Sequence, residues 1–221
     1  MELFLDTADL GAVKKLNDIL TISGVTTNPS ILAKENIEVK DVIKQLDKIL
    51  SLDQLIFVQV IQTTYEGIMK EAKEIAGLRK KNIYVKIPVS NEGLRAIKEC
   101  KKLGINTLAT AIYSSNQAFC AAMNGADYLA PYVNRMDNYG DGVGETCDLI
   151  EMLKVNNIDS KVIAASFKSV NQVNQLIKAG VQAVTLPPDI MFAMINHPGT
   201  QIAIDEFSEK WEKQFSKKVL F

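Results

Sequence analysis

Histidine is almost missing from this chain. Its 221 residues include one, His197, whereas a zinc-dependent aldolase or hydrolase needs two or three imidazole ligands. His197 sits in NHPG and reads as a turn or helix-end residue. Cysteine is scarce as well. Cys100, Cys120 and Cys147 are odd in number and far apart, which points to reduced thiols and argues against a disulfide framework or a zinc knuckle. There is no surplus of positive charge, with 25 Lys and Arg against 26 Asp and Glu, so neither nucleic acid nor an anionic membrane is an expected partner. No apolar run approaches the roughly 18–20 residues of a membrane span. The opening segment MELFLDTADL lacks the basic start and long apolar stretch of a signal peptide, so the expected compartment is the cytoplasm. Neither GxGxxG nor GxxxxGKS/T occurs, leaving Rossmann and Walker nucleotide sites unsignalled.

What is present is enough hydrophobic sequence, 47% against 23% charged, to bury one sizeable core. The length suits a single α/β-barrel domain of roughly 200–250 residues. Short apolar runs alternate with amphipathic segments along the whole chain. The runs are ELFLD (2–6), SGVTTN (23–28), QLIFVQVI (54–61), NIYVKIP (82–88), NTLATAI (106–112), ADYLAPYV (126–133), KVIAASF (161–167) and AVTLP (183–187). Between them lie helical spacings such as Leu10, Val13, Leu16 and Leu20, or Leu94, Ile97 and Cys100. Eight βα units without a linker predict one domain over 1–221, a closed (β/α)8 TIM barrel of the α/β class. An open doubly wound sheet is the alternative. Residues 201–221 add a helical tail with Ile204, Phe207, Trp211 and Phe215 on one stripe. Such a stripe is suited to packing, including packing across a subunit interface.

Alternation along each strand assigns side chains to the helix side or to the barrel interior. In NIYVKIP, Ile83, Val85 and Ile87 face the helices, so Tyr84 and Lys86 point inward. A buried ammonium is costly unless paired or deprotonated, and desolvation lowers its pKa toward the neutral amine that attacks carbonyls. By the same alternation Phe4 and Asp6 point inward, as do Phe57 and Gln59. Leu108 and Thr110 share a face, but both faces of that strand are small or apolar and the assignment stays open. Tyr132 follows Tyr128 and Ala130, and Ser166 follows Val162 and Ala164. Six strands thus carry a polar residue late in the strand, five of them on a face readable as inward. Late in the strand is the C-terminal mouth, where barrel active sites lie.

These residues carry a resemblance. FLDTA (4–8), GVTTNPS (24–30), VKIPVS followed by EGL (85–94), APYVNR (130–135) and AASFK (164–168) resemble the transaldolase family over essentially the whole chain. They are closest to its small fructose-6-phosphate aldolase-like branch. The resemblance implies a (β/α)8 barrel, a lysine Schiff-base mechanism without metal or cofactor, and ring-shaped homo-oligomers, pentamers or decamers. By motif, Lys86 takes the place of the Schiff-base lysine, and Asp6 that of the acid handling substrate hydroxyl protons. Thr26 and Asn28 fall at substrate-binding positions, and Arg135 and Ser166 resemble a phosphate-binding pair. Lys168 stands where many transaldolases have Arg, giving a point charge instead of a planar fork. Gln59 and Tyr132 stand where transaldolases typically carry Glu and Phe, as in the aldolase branch. The Tyr132 phenol is then expected to act through a water held with Gln59 and Thr110.

The expected activity is cleavage or formation of the C–C bond of a ketose phosphate, fructose 6-phosphate giving dihydroxyacetone and glyceraldehyde 3-phosphate. One alternative is a transaldolase that passes the dihydroxyacetone unit to erythrose 4-phosphate. The other is a barrel that binds sugar phosphates without turnover.

Overall fold

The computed structural model describes residues 1–221. Strand β1 (Glu2–Asp6) leads into helix α1 (Leu10–Ile19), and β2 (Gly24–Thr26) into α2 (Pro29–Lys34) and α3 (Val39–Ile49). Next come β3 (Leu55–Gln59), α4 (Tyr65–Ala76), β4 (Ile83–Pro88), α5 (Asn91–Lys102), β5 (Thr107–Ile112) and α6 (Ser115–Met123). Then β6 (Tyr128–Pro131) is followed by α7 (Val133–Met136) and α8 (Gly142–Val155), and β7 (Lys161–Ala164) by α9 (Val170–Lys178). Last are β8 (Ala183–Leu186), α10 (Pro188–Ile195) and α11 (Pro198–Phe215). The strands pair in parallel in chain order, and β1 also pairs with β8, closing the barrel. It is a (β/α)8 TIM barrel, as the alternation predicts, and the open sheet is excluded. No helix is long and apolar enough to cross a membrane.

The helices begin where short polar side chains can take up their free N–H groups. Asp9, Asn28, Thr64, Ser90, Ser114, Asp141 and Ser169 each accept from an N–H in the first turn of the helix that follows. These caps end the βα loops and place them at one mouth. At Gly24, with φ +151°, β2 passes so close to β3 that a Cβ would sit 1.9 Å from the Leu55 carbonyl oxygen. Only glycine fits such an approach.

Two separate cores follow from strand alternation. The larger lies between strands and helices and includes Leu5, Val25, Ile56, Val58, Val85 and Ile87. The smaller fills the barrel interior, with Phe4, Phe57, Leu108, Tyr128 and Ile163 buried and Tyr84 packed against them. Phe4 and Phe57 meet edge to face at 5.4 Å, and Tyr128 stands edge-on to Phe57 and Tyr84 at 5.3 Å each. This aromatic plug closes the interior below the C-terminal mouth. Edge-to-face pairs each add about 0.5–1.5 kcal/mol beyond burial.

The C-terminal helix departs from expectation. The terminal helix starts at Pro198, not near 201, because His197 caps it through Nδ1, which accepts from Gly199 N–H at 3.1 Å. None of its residues is buried. Trp211 stacks on Phe215 with ring centroids 4.3 Å apart, while Phe207 and Phe215 stay exposed.

Candidate active site

Above the plug the interior turns polar. Lys86 is buried, 5% exposed, on the β4 face pointing inward, and its Nζ donates to the Thr27 carbonyl at 2.8 Å. It has no ion pair. Burial pushes its pKa down, and the nearby Asp6 carboxylate opposes that in part. Asp6, at the end of β1, responds in the opposite sense. Burial raises its pKa, while Lys86, a hydrogen bond from Thr26 and Arg135 pull it back. Each group is therefore closer to its neutral form than it would be in water, which suits a nucleophilic amine beside a proton acceptor.

Six of the expected residues line one cavity of about 650 Å³ at the C-terminal mouth: Asp6, Asn28, Tyr132, Arg135, Ser166 and Lys168. Asn28 uses its side-chain oxygen to cap α2, accepting from Ile31 N–H at 3.0 Å. Its amide nitrogen is thereby left as the group able to donate to a ligand. Arg135 and Lys168 are both exposed and neither has a carboxylate partner. Arg135 lies over the Tyr132 ring, 4.8 Å from its centroid.

Thr110 joins through Tyr132, whose hydroxyl is 3.0 Å from Thr110 Oγ1. Burial raises the Tyr132 pKa, with Thr110 and Arg135 acting against it. The β5 face left open by the sequence is decided by packing, with Leu108 inside the barrel and Ala109 on the helix side, and a bulge follows it. Four residues of β5 (Ala109 to Ile112) span three of β6 (Leu129 to Pro131), and Ala111 sits at φ 55°. One extra residue shifts the phase of the strand. Leu108 packs inside the barrel, yet Ile112, four residues on, packs on the helix side. Tyr113 then turns toward the mouth, its ring 6.0 Å from that of Tyr132.

Three placements correct the sequence reading. Ser166 does not share the inward face with Val162 and Ala164, since those two pack on the helix side and Ile163 and Ala165 pack inside. It reaches the cavity because β7 ends at Ala164 and Ser166 adopts φ 62°. Thr26 does not line the cavity. It is 1% exposed and its hydroxyl is engaged from both sides, 2.8 Å from Asp6 Oδ1 and 2.6 Å from Thr185 Oγ1. Gln59 stands beside Lys86 in the β3–β4 register but lines a neighbouring cavity of about 600 Å³ with Gln62, Thr63, Ser90 and Glu92. Its side-chain oxygen is buried without a partner, so the group expected with Thr110 and Tyr132 is only two-thirds assembled by direct contact.

Thr185 was not among the expected residues, although the alternation of AVTL, with Val184 and Leu186 on the helix side, would have pointed it inward. The Thr27 carbonyl, a main-chain group, leaves no trace in the sequence. Tyr113 is hidden by the bulge.

A model of the family described as transaldolase/fructose-6-phosphate aldolase matches residues 3–220. The chain belongs to that family. The matched span covers every element of the site. Among solved structures it is similar to a double mutant of flavocytochrome b2 with sulfite bound, at TM-score 0.58 and 11% identity. The same mutant with pyruvate bound gives TM-score 0.61 and 11% identity. Each alignment covers 85% of this chain and 56% of the other, so the chain spans a little over half the length of those structures. At that identity the likeness is one of fold alone.

Proposed function

We propose that this family member is a class I aldolase that cleaves or forms the C–C bond of a ketose phosphate through a Schiff base on Lys86. The observation that carries the reading is a buried lysine without a salt bridge, its pKa lowered by burial, acting on an Asp6 that lines a cavity with Arg135 and Lys168. Neutral Lys86 Nζ attacks the ketose carbonyl, and loss of water gives an iminium. Asp6 takes the proton from the hydroxyl two carbons away. The C–C bond between them breaks, its electrons move to the iminium to form an enamine, and the aldehyde departs. Protonation of the enamine and hydrolysis release the three-carbon ketone and restore the amine. Tyr132, hydrogen-bonded to Thr110, serves as the acid/base group for the water steps. Gln59, with an acceptor to spare, binds the water from the β3 side.

Arg135 and Lys168 supply two uncompensated charges for the substrate phosphate. Neither Ser166 nor Phe167 gives its N–H to a backbone carbonyl, so both are free to donate there. Fructose 6-phosphate, cleaved to dihydroxyacetone and glyceraldehyde 3-phosphate, is the proposed substrate. Borohydride reduction in the presence of dihydroxyacetone should fix an adduct on Lys86, and an unmodified lysine would remove the reading. Cleavage of fructose 6-phosphate assayed with and without erythrose 4-phosphate separates aldolase from transaldolase. Product formed only with the acceptor would assign the chain to the second activity.

The proposed assembly is a homo-oligomer, pentamer or decamer, in which α11 covers a neighbouring subunit, since it buries no residue on its own barrel. Removing residues 197–221 should then yield a monomer by sedimentation, and an unchanged mass would count against that role for the helix.

A further inference from the structure

Asp6 accepts from one hydroxyl, that of Thr26, which in turn meets a second, that of Thr185. Thr26 Oγ1, on β2, lies 2.8 Å from Asp6 Oδ1 and 2.6 Å from Thr185 Oγ1, on β8. Both threonines are buried, 1% and 2% exposed, so solvent offers neither an alternative partner. A hydroxyl has one proton to donate and two lone pairs to accept with. An ionised Asp6 only accepts, so Thr26 must donate upward to it and must accept from Thr185. The directions of both hydrogen bonds therefore follow from the charge on Asp6.

We infer that Thr185 is a positioning residue which, through Thr26, fixes the rotation of the Asp6 carboxylate and favours its proton-accepting form. The inference rests on the proposed role of Asp6 as the base of the cleavage step. A hydroxyl donating to a carboxylate is held more strongly than one donating to a neutral acid. A second hydroxyl donating to the first polarises it further. The other charged or titratable groups acting on Asp6 are Lys86 on β4 and Arg135 on α7, with the Tyr132 phenol also in range. Those charges shift its proton affinity from a distance without directing one oxygen, as the Thr26 hydrogen bond does.

The test is Thr185→Val, which keeps the shape and removes the only donor to Thr26. Rates of fructose 6-phosphate cleavage are measured across pH, with borohydride trapping of Lys86 by dihydroxyacetone alongside. The variant should lose about five- to tenfold in kcat. Its acid limb should move to higher pH by roughly half a unit or more, because the carboxylate has lost a stabilising donor and holds its proton longer. KM and adduct yield should stay within about twofold, and Thr185→Ser should restore the parent profile. An unmoved acid limb, or a loss equal at all pH values that serine does not rescue, overturns the inference. Should Thr185→Val not fold, Thr26→Val carries the same expected shift, and its absence there is equally decisive. Asp6→Asn separates the two levels. If it cleaves at the parent rate, the role of Asp6 falls and the inference with it. If it is inactive while Thr185→Val is normal, the inference alone falls.

Discussion

At the N-terminal end of the barrel, Glu2 accepts from the Tyr128 hydroxyl at 2.8 Å and pairs with Lys161 at 2.6 Å. Lys101 pairs with Asp127 at 3.2 Å. Arg79, its side chain 1% exposed, bonds to Asp47 and to the carbonyls of Gln54, Ser51 and Asn82. At the C-terminal end Lys86, Arg135 and Lys168 have no carboxylate partner within ion-pair distance, and the Gln59 side-chain oxygen has no partner at all. The same residue types are used at both ends. Below, they are satisfied by one another and contribute stability. Above, Lys86 and the Gln59 oxygen are buried without a charge partner or a donor, while Arg135 and Lys168 stand open to solvent with no carboxylate of their own.

Lys86→Met tests that contrast most severely. Activity should fall by at least about a thousandfold, while thermal unfolding shifts upward, because an unpaired buried amine is replaced by a side chain of similar volume. A clear loss of stability would place Lys86 with the lower, structural set. The parent should also show a pH signature. Its folded-state Lys86 pKa lies below the unfolded value of 10.5, so between the two the unfolded chain binds the extra proton. Stability therefore rises as pH climbs through the folded pKa toward 10.5. Denaturant melts of Lys86→Met should lack that rise.

Arg79→Ala should do the reverse. Three carbonyls and Asp47 lose their donor in a buried place, costing roughly 3 kcal/mol in urea melts, with kcat per folded molecule unchanged. A fall in kcat would couple the two ends. Lys168→Ala sharpens the upper end, with KM for the phosphorylated ketose rising about tenfold and adduct formation with unphosphorylated dihydroxyacetone unaffected. The smallest effect belongs to Glu2→Gln. It weakens a partly exposed pair and should cost under about 1 kcal/mol, with no change in rate.

How far the sequence reached depends on how regular the backbone stays. Where a strand keeps strict alternation, as in β1, β3 and β4, the inward positions of Asp6, Gln59 and Lys86 could be read directly. The family motifs supplied Arg135 from the single-turn helix α7 and Lys168 from a loop, both too short or irregular to show periodicity. Alternation misled at Ser166, because β7 had ended and a left-handed residue re-aimed the chain. It was silent at Thr110 because both faces of that strand are small or apolar. Thr26 falls in the second strand run and at a substrate-binding position by motif, whereas its hydroxyl meets Asp6 and Thr185. Which of two inward hydroxyls meets ligand and which meets another side chain depends on depth, and periodicity carries no depth. That Gln59 opens on a different cavity from Tyr132 depends on loops over β3 and β4 whose shape no spacing encodes.

The bulge at Ala111 has a consequence for how this barrel can change. It works as a phase counter of one residue. Before it, even-numbered positions of β5 look inward, and after it odd-numbered ones do. Losing a single codon there would exchange Tyr113 for a neighbour at the rim while leaving the hydrophobic interior below untouched. A deletion at this point is thus a way for a lineage to remodel the mouth in one step, where point substitution would need several.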